Sequence, residues 1–162
     1  MLFVSTAHLF AEQFIPNLKQ GDIFLATNSN YLVATTKDYQ NGTTTETSEM
    51  SARLEYFIQD GWAVGGLTSI QSTPYYEFGV STSYFFLMVD RSAIYVEPEF
   101  IIERWQKLDT TAFEMSARFG YGYFLTPSVS IGPSYRYAYR PKQDRVKSLE
   151  TKRIELMLGI FI

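Results

Sequence analysis

The sequence of 162 residues contains no cysteine. This absence excludes a disulfide framework, thiol chemistry and a cysteine-based zinc cluster. Basic residues are not in excess, because the formal net charge is −3, so the sequence predicts no basic surface for nucleic acid. Long hydrophobic runs are also missing. The stretches "YFFLMV" (84–89) and "LMLGIFI" (156–162) are far shorter than the ~18 residues of a membrane-spanning helix.

Aromatic residues are abundant, at 17% of the chain, with 12 Tyr and 13 Phe. Tyrosine combines an apolar ring with a hydroxyl group that favours water, which suits boundaries between apolar and aqueous phases. Hydrophobic residues make up 46% of the chain and charged residues 19%. This balance and length predict one packed domain and exclude disorder over the whole chain.

Apolar and polar residues alternate with a period of two through most of the chain after residue 20, which is the pattern of β-strands with two different faces. In "AFEMSARFGYGYF", the odd positions from Phe113 to Tyr123 are apolar or aromatic, and the even positions from Glu114 to Gly122 are polar or small. Pro98 and Pro133 fall inside such segments. Because proline lacks a backbone donor, each predicts a bulge or local distortion.

Tight turns, centred near residues 60, 91 and 127, alternate along the chain with longer polar connections. We therefore predict an all-β fold, an eight-stranded antiparallel up-and-down barrel, because closure removes the exposed edges of the sheet. The first strand is the least regular, since "ATNSNYLVATT" alternates poorly. The predicted strands lie near 22–37, 46–58, 62–71, 75–89, 93–106, 110–125, 128–140 and 148–162.

The chain divides into an N-terminal segment, 1–20, and a barrel domain, 21–162. The start "MLFVSTAHLFAEQF" partly matches a secretory signal, with a short apolar region and a cleavage point after Ala11, but it lacks the basic region that begins such signals. The alternative is an ordinary amphipathic helix or strand at the N-terminus.

Alternation alone leaves two orientations open. A soluble lipocalin-like barrel lines a ligand cup with its apolar face, whereas a transmembrane barrel turns that face to lipid and fills its lumen with polar residues. Eight strands enclose little more space than their own side chains fill, so the Tyr and Phe rows would overfill the interior. Aromatic residues also gather toward both ends of the strands, as they do at the two interfaces of a membrane. These features favour the transmembrane orientation.

The face with the charges is then predicted to form a lumenal network of ion pairs, since buried charges require partners. The predicted members are Arg53, Glu55, Glu77, Glu97, Glu99, Glu103, Glu114, Arg118, Arg136, Arg153 and Glu155. An alternative applies to Glu97, Glu99 and Glu103, whose spacing on one face also suits an acid–base pair or a cation site.

The opposite face is predicted to carry aromatic residues that meet the lipid interfaces. These residues are Tyr56, Trp62, Tyr84, Trp105, Tyr121, Tyr123, Tyr135, Tyr137 and Tyr139. Phe57 and Phe124, beside the tight turns, are interpreted as belonging to the same belt.

The repeated hairpins "YFIQDGWAVGG" and "YGYFLTPSVSIGPSYRY" resemble those of the small eight-stranded outer-membrane β-barrels of Gram-negative bacteria, of the OmpA-barrel, OmpX and opacity-protein type. The resemblance covers roughly residues 21–162 and implies a monomer in the bacterial outer membrane. Its implied partners are membrane lipid, the barrel-assembly machinery and a surface ligand held by the loops.

The same resemblance implies a structural or surface-interaction role in the cell envelope, without catalysis, cofactor or metal. Some barrels of this kind are lipid A-modifying enzymes that need a catalytic histidine, but the sole histidine here, His8, lies in the N-terminal segment. Two alternatives remain open: a soluble lipocalin-like carrier of a hydrophobic ligand, and a narrow pore.

Overall fold

The computed structural model describes residues 16, 18–38, 44–45, 49–71, 75–89, 91–105, 110–143 and 146–162. Eight long strands follow one another in these ranges. They are β1 (Ile23–Asp38), β2 (Glu49–Gln59), β3 (Trp62–Gln71), β4 (Tyr75–Val89), β5 (Ser92–Trp105), β6 (Thr110–Thr126), β7 (Val129–Arg140) and β8 (Leu149–Phe161). A two-residue strand, Thr44–Thr45, pairs with Thr36 and Lys37 near the C-terminal end of β1.

Each long strand pairs antiparallel with the next, and β8 pairs with β1, so the sheet closes. The predicted eight-stranded up-and-down barrel is confirmed. The cross-strand pairs can be followed from strand to strand once around the barrel, beginning at Leu25 on β1. The series returns to β1 at Lys37 and not at Leu25, so the strands are staggered relative to one another. Strands staggered in this way are tilted relative to the barrel axis.

The closing pair of strands contains an irregularity in the strand whose alternation is weakest. The β1–β8 register shifts between Ser29 and Val33, where β1 carries more residues than its partner. A bulge of this kind breaks the period of two along the bulged strand. The poor alternation of "ATNSNYLVATT" is the sequence signature of this bulge.

Three tight turns close one end of the barrel, here called the turn end. The pairs Gln59↔Trp62, Val89↔Ser92 and Thr126↔Val129 each leave two residues in the turn. The predicted turn centres are confirmed. At the first turn, Gly61 has a backbone φ of 73°, a conformation that favours glycine over other residues. The longer connections define the opposite end, the loop end, and residues 39–43, 46–48, 72–74, 106–109 and 144–145 lie outside the described structure.

Burial follows the predicted period of two on the described strands. Along β8, inward residues such as Arg153, Glu155 and Met157 are buried, and outward residues such as Leu156 and Leu158 are exposed. The outward apolar residues are exposed on every strand, from Leu25 on β1 to Ile160 on β8. The barrel is therefore apolar outside and holds its charges inside. The described residues include no helix that is long and apolar enough to cross a membrane.

The two strand prolines interrupt the ladder locally without shifting its register. Pro98 and Pro133 both face outward and are exposed. The β4–β5 register is the same on both sides of Pro98, and the β6–β7 register is the same on both sides of Pro133. No bulge forms at either proline, but cross-strand pairs are missing beside Pro98 between Ser81↔Glu99 and Tyr84↔Val96, and beside Pro133 between Gly120↔Ser134 and Tyr123↔Ile131. The structure therefore shows the local distortion that was the other form of the prediction. A proline whose nitrogen points to a gap in the ladder loses a hydrogen bond without shifting the register.

An aromatic–glycine pair joins β5 to β6. Tyr95 and Gly120 are direct cross-strand neighbours, and a Cβ atom on Gly120 would lie 2.2 Å from the Tyr95 ring. Tyr95 is buried and packs against Phe85, with ring centroids 5.4 Å apart, so it has little room to move.

We therefore expect Gly120→Ala to lower the free energy of unfolding by about 1–3 kcal/mol through overpacking. The measurement is urea unfolding of protein refolded in lipid vesicles. If Tyr95 causes the clash, Tyr95→Ala should lower the free energy of unfolding less in the Gly120→Ala variant than in the wild type. Strictly additive costs would contradict this account.

Candidate functional site

The interior of the barrel is the candidate site, because the structure places all eleven predicted lumenal residues there. Arg53, Glu55, Glu77, Glu97, Glu99, Glu103, Glu114, Arg118, Arg136, Arg153 and Glu155 are each at most 5% exposed. The interior also contains polar residues that the sequence analysis missed, notably Arg140 and Asn28. Arg140 has the same parity as Arg136 on β7, so its direction could have been read from the pattern. Asn28 lies beside the irregular part of β1, where the pattern is weak.

Arg118 on β6 is the centre of the charge network. Its guanidinium donates to Glu97 Oε1 at 2.9 Å, to Glu155 Oε2 at 3.0 Å and to Glu99. Glu97 and Glu99 belong to β5 and Glu155 to β8, so one arginine connects three strands of the barrel. Multiple charge-assisted hydrogen bonds of this kind are needed to offset the desolvation of buried ions.

Arg136 on β7 extends the network toward the loop end. It donates to Glu99 Oε2 and Glu114 Oε1, both at 2.9 Å, and to Ser116 Oγ at 3.3 Å. Ser116 in turn donates to Glu99. Glu99 thus accepts from two arginines and a serine, and its charge is fully matched by donors.

Arg53 on β2 extends the network in the other direction around the wall. It forms an ion pair with Glu97 and donates to Asn28 Oδ1 at 2.9 Å. The Asn28 amide then donates to Glu155 Oε2, also at 2.9 Å. Asn28 therefore links two charged groups across the β8–β1 seam where the barrel closes.

Further polar contacts line the wall on either side of this centre. Arg140, the last residue of β7, donates to Glu103 Oε2 at 2.5 Å and to the Lys147 carbonyl at 3.2 Å. Two other carboxylates accept from serines: Ser69 donates to Glu77, and Ser81 donates to Glu55. Short serines opposite long glutamates leave room for the carboxylates within a narrow lumen.

The turn end of the lumen is apolar, which corrects the expectation of an interior wet throughout. A buried cluster, here called the aromatic plug, fills it with Phe24, Phe57, Phe85, Tyr95, Phe124, Met157 and Phe161. Phe24 stacks on Phe161 with centroids 4.6 Å apart and meets Phe85 edge-on at 5.3 Å. The Arg53 guanidinium lies 5.5 Å from the centre of the Phe24 ring and joins the plug to the network.

Two members of the plug overturn a prediction. The prediction that Phe57 and Phe124 belong to the aromatic belt on the lipid face is wrong, because both are buried in the interior. Each has the parity of the lumenal residues on its own strand, as Phe57 has with Arg53 and Phe124 with Arg118. A position beside a turn does not decide which face of the sheet a side chain occupies. The odd or even position along the strand decides it.

A short N-terminal segment covers the plug. Leu18 is buried in the same cluster, and its carbonyl accepts from Gly61 N at 2.7 Å. Gly21 N donates to the Phe57 carbonyl at 2.9 Å, and Gln20 N donates to Asp60 Oδ1 at 2.8 Å. Residues 18–21 therefore cross the turn end and attach to the first hairpin.

The outward aromatic residues form the other part of the candidate site. Tyr56, Trp62, Tyr84, Tyr121, Tyr123, Tyr135, Tyr137 and Tyr139 are exposed, and the side chain of Trp105 is outside the described structure. Trp62 donates to Thr82 Oγ1 at 2.7 Å, and Lys152 Nζ lies 5.8 Å from the Tyr137 ring centre. Such residues place an apolar body and a polar tip on the surface, but their contact with lipid stays a prediction.

The chemistry available to Glu97, Glu99 and Glu103 is limited by their partners. Glu97 and Glu99 each pair with two arginines, and Glu103 pairs with Arg140. A carboxylate committed to arginine is a poor general base and a poor cation ligand. Within the described residues, no group of three or more acidic or histidine side chains is arranged to hold a metal ion. His8 lies outside the described residues.

Comparison with known proteins shows which solved structures share this fold. No protein-family model matches the chain, and no curated protein matches its sequence. Solved structures do match. Neisserial surface protein A is 16% identical with a TM-score of 0.67, covering 86% of this chain and 95% of its own. The N-terminal barrel of Pseudomonas aeruginosa OprF is 10% identical with a TM-score of 0.58, covering 88% and 98%.

Ail, the attachment invasion locus protein of Yersinia pestis, is 12% identical with a TM-score of 0.54, covering 88% of this chain and 99% of its own. Identities at this level carry the fold alone. These matches confirm, for the fold, the resemblance that the hairpin sequences carry. The charged interior is the reverse of the apolar ligand cup that a soluble carrier requires. The chain has the fold of the small eight-stranded transmembrane β-barrels of bacterial outer membranes.

Proposed function

We propose that the protein is a monomeric, non-catalytic barrel of the bacterial outer membrane with a structural or surface-interaction role in the cell envelope. The observation that carries the proposal is the inversion of the barrel, with apolar residues exposed on every strand and ion pairs buried in the lumen. A surface of this kind is stable in lipid and aggregates in water. The solved structures with the same fold, which are outer-membrane barrels, support the proposal that this protein lies in the outer membrane.

A structural role is favoured over a pore by the contents of the lumen. The aromatic plug fills the turn end, Leu18 covers it, and the arginine–glutamate network occupies the middle. An eight-stranded barrel filled by its own side chains leaves no continuous path for ions. We therefore expect no channel conductance from the purified protein in planar bilayers.

The longer connections are the proposed surface for a ligand, since loops on a rigid scaffold carry binding sites more often than the scaffold does. They include residues 39–43, outside the described structure, and the described loop around Lys142 and Gln143. In bacterial barrels of this type, short turns face the periplasm and longer loops face outward. The loop end is therefore proposed to lie at the cell surface.

Epitope tags test membrane and orientation together. A tag after Gly42 or after Gln143 should be reached by antibody on intact cells, because loop tips tolerate insertion. A tag between Asp60 and Gly61, in the first tight turn, should be reached only after the outer membrane is opened. The untagged protein should fractionate with outer membranes and need detergent for release.

The tagged variants distinguish the alternatives. Labelling of the Asp60 tag but not of the Gly42 tag on intact cells would reverse the orientation. Recovery of the untagged protein as a stable monomer in the aqueous fraction, with a bound fatty acid, would restore the soluble-carrier hypothesis.

A further inference from the structure

A group of buried polar atoms lies between the aromatic plug and the arginine–glutamate network. Glu55 Oε2 and Arg53 Nε, both on β2, have no hydrogen-bond partner among the described residues. Ser83 Oγ on β4 and Tyr95 Oη on β5 likewise find none there. The four residues are each at most 4% exposed. Buried polar groups without partners are rare in folded proteins, so each of these atoms requires an explanation.

The strand register places these atoms on one part of the wall. Glu55 reaches across Gly65, which has no side chain, and its other carboxylate oxygen accepts from Ser81 on β4. Ser83 is the next inward residue of β4. The register of the β4–β5 pair places Ser83 opposite Glu97. The Glu55 carboxylate and the Ser83 hydroxyl are therefore neighbours on the inner surface of β4.

Arg53 and Tyr95 border the same region. Arg53 is two residues from Glu55 on the inward face of β2, and its guanidinium pairs with Glu97. Tyr95 is two residues from Glu97 on β5. The Tyr95 phenol and the Glu55 carboxylate both lie within electrostatic range of Arg53. The four atoms without partners thus border one small part of the lumen, beside Glu97 and on the loop-end side of the phenylalanines of the plug.

The hydrogen-bonding roles of these atoms select one occupant. Arg53 Nε–H only donates, the carboxylate oxygen of Glu55 only accepts, and the hydroxyls of Ser83 and Tyr95 do both. A metal cation cannot accept from Arg53, and a simple anion cannot donate to Glu55. Water donates and accepts at once, carries no charge, and is small enough for a polar space enclosed by side chains.

We infer that this part of the lumen binds at least one ordered water molecule, which bridges Arg53 Nε to Glu55 Oε2 and has Ser83 and Tyr95 as further partners. The bridge joins Glu55 to the charge network and extends that network to β4. A buried water with about three hydrogen bonds is part of the folded structure and is costly to remove. The inference concerns the interior alone and does not depend on the proposed location in the outer membrane.

X-ray footprinting of the full chain, refolded in detergent micelles, tests the site. Short X-ray pulses convert water to hydroxyl radicals where it lies, and the radicals oxidise adjacent aromatic rings, which mass spectrometry detects. After correction for the intrinsic reactivity of each side chain, we expect Tyr95 to be oxidised several-fold faster than Phe57 and Phe124, which are equally buried in the plug. Oxidation of Tyr95 as slow as that of the two phenylalanines would overturn the inference.

Oxygen-isotope exchange distinguishes a bound water from bulk solvent. After rapid mixing with oxygen-18 water, the heavy isotope should enter the oxidation product of Tyr95 more slowly than the products of the exposed loop around Lys142, because an enclosed water exchanges slowly. Equal rates at the two places would show a lumen open to solvent at Tyr95 and would overturn an enclosed site.

Two matched variants test the partners. Ser83→Val replaces the hydroxyl with methyl groups that occupy the space of the water, so oxidation of Tyr95 should fall to the level of Phe57. Ser69→Val changes another buried inward serine, whose hydroxyl donates to Glu77, and should leave oxidation of Tyr95 unchanged. An unchanged Tyr95 signal in Ser83→Val would overturn the site. If that variant does not fold, the comparison of Tyr95 with the plug phenylalanines in the wild type still decides.

Discussion

Replacing Arg118 with methionine should lower the free energy of unfolding by about 3–5 kcal/mol, because the change leaves buried carboxylates without their shared partner. Arg118 donates to Glu97, Glu99 and Glu155, and all four side chains are almost fully excluded from solvent. Methionine retains much of the length and apolar volume of the arginine stem, so the loss reports the guanidinium. The measurement is urea unfolding of protein refolded in lipid vesicles.

The matched control is Lys142→Met, which removes a positive charge from the exposed loop after β7. Its expected effect is within about 0.5 kcal/mol, as for most surface substitutions. A second variant, Arg118→Lys, keeps the charge without the planar fork and should give a loss between the two. Equal stability of Arg118→Met and Lys142→Met would show that the lumenal network does not stabilise the barrel.

The aromatic plug should be as sensitive as the network. Phe24→Ala should cost about 3–5 kcal/mol, the range for removing a buried phenylalanine from a packed core. Phe24 is fully buried, stacks on Phe161, meets Phe85 edge-on and supports the Arg53 guanidinium. Because it is centrally placed in the plug, its loss leaves a cavity that neighbouring strands cannot close without distorting the barrel. The same urea titration measures the effect.

Phe78→Ala is the matched control for the plug, since Phe78 is an outward phenylalanine on β4 that is 60% exposed. Lipid can occupy the space that this truncation leaves, so its cost should be clearly smaller than that of Phe24→Ala. If the outward truncation cost more than the inward one, the assignment of the two faces would be reversed.

The two faces could be predicted from the sequence because a β-strand alternates strictly and β6, β7 and β8 carry clear charged and apolar rows. Arg118 shares the parity of Glu114 on β6, Arg153 shares that of Glu155 on β8, and Arg136 alternates with tyrosines on β7, so one decision about orientation placed all three arginines. The tight turns could also be predicted from the sequence, since Asp60-Gly61 and Pro127 are local turn signals that do not depend on tertiary structure.

The aromatic plug could not be inferred as readily. Its members come from strands far apart in the chain, and only the barrel closure brings Phe24 beside Phe161. Parity did assign Phe57 and Phe124 to the inside, but their position next to turns favoured the membrane interface. The interior therefore contains two layers, one apolar and one charged, although its residues show a single alternating pattern along the chain. Pro98 and Pro133 leave the register intact and interrupt the ladder only locally, so of the two predicted outcomes, a bulge or a local distortion, the structure shows the second.

Fluorescence of Trp62 in brominated lipid tests most directly the claim that the outer wall of the barrel contacts the membrane. The chain has two tryptophans, so Trp105→Phe leaves Trp62 as the sole reporter, on the outward face of β3 beside the first tight turn. In vesicles, phospholipid brominated near the headgroup end of its acyl chains should quench Trp62 strongly, lipid brominated near the chain ends should quench it less, and aqueous iodide should quench it little. Strong quenching by iodide with no effect of either brominated lipid would contradict the account, because the apolar wall would then lie outside the bilayer.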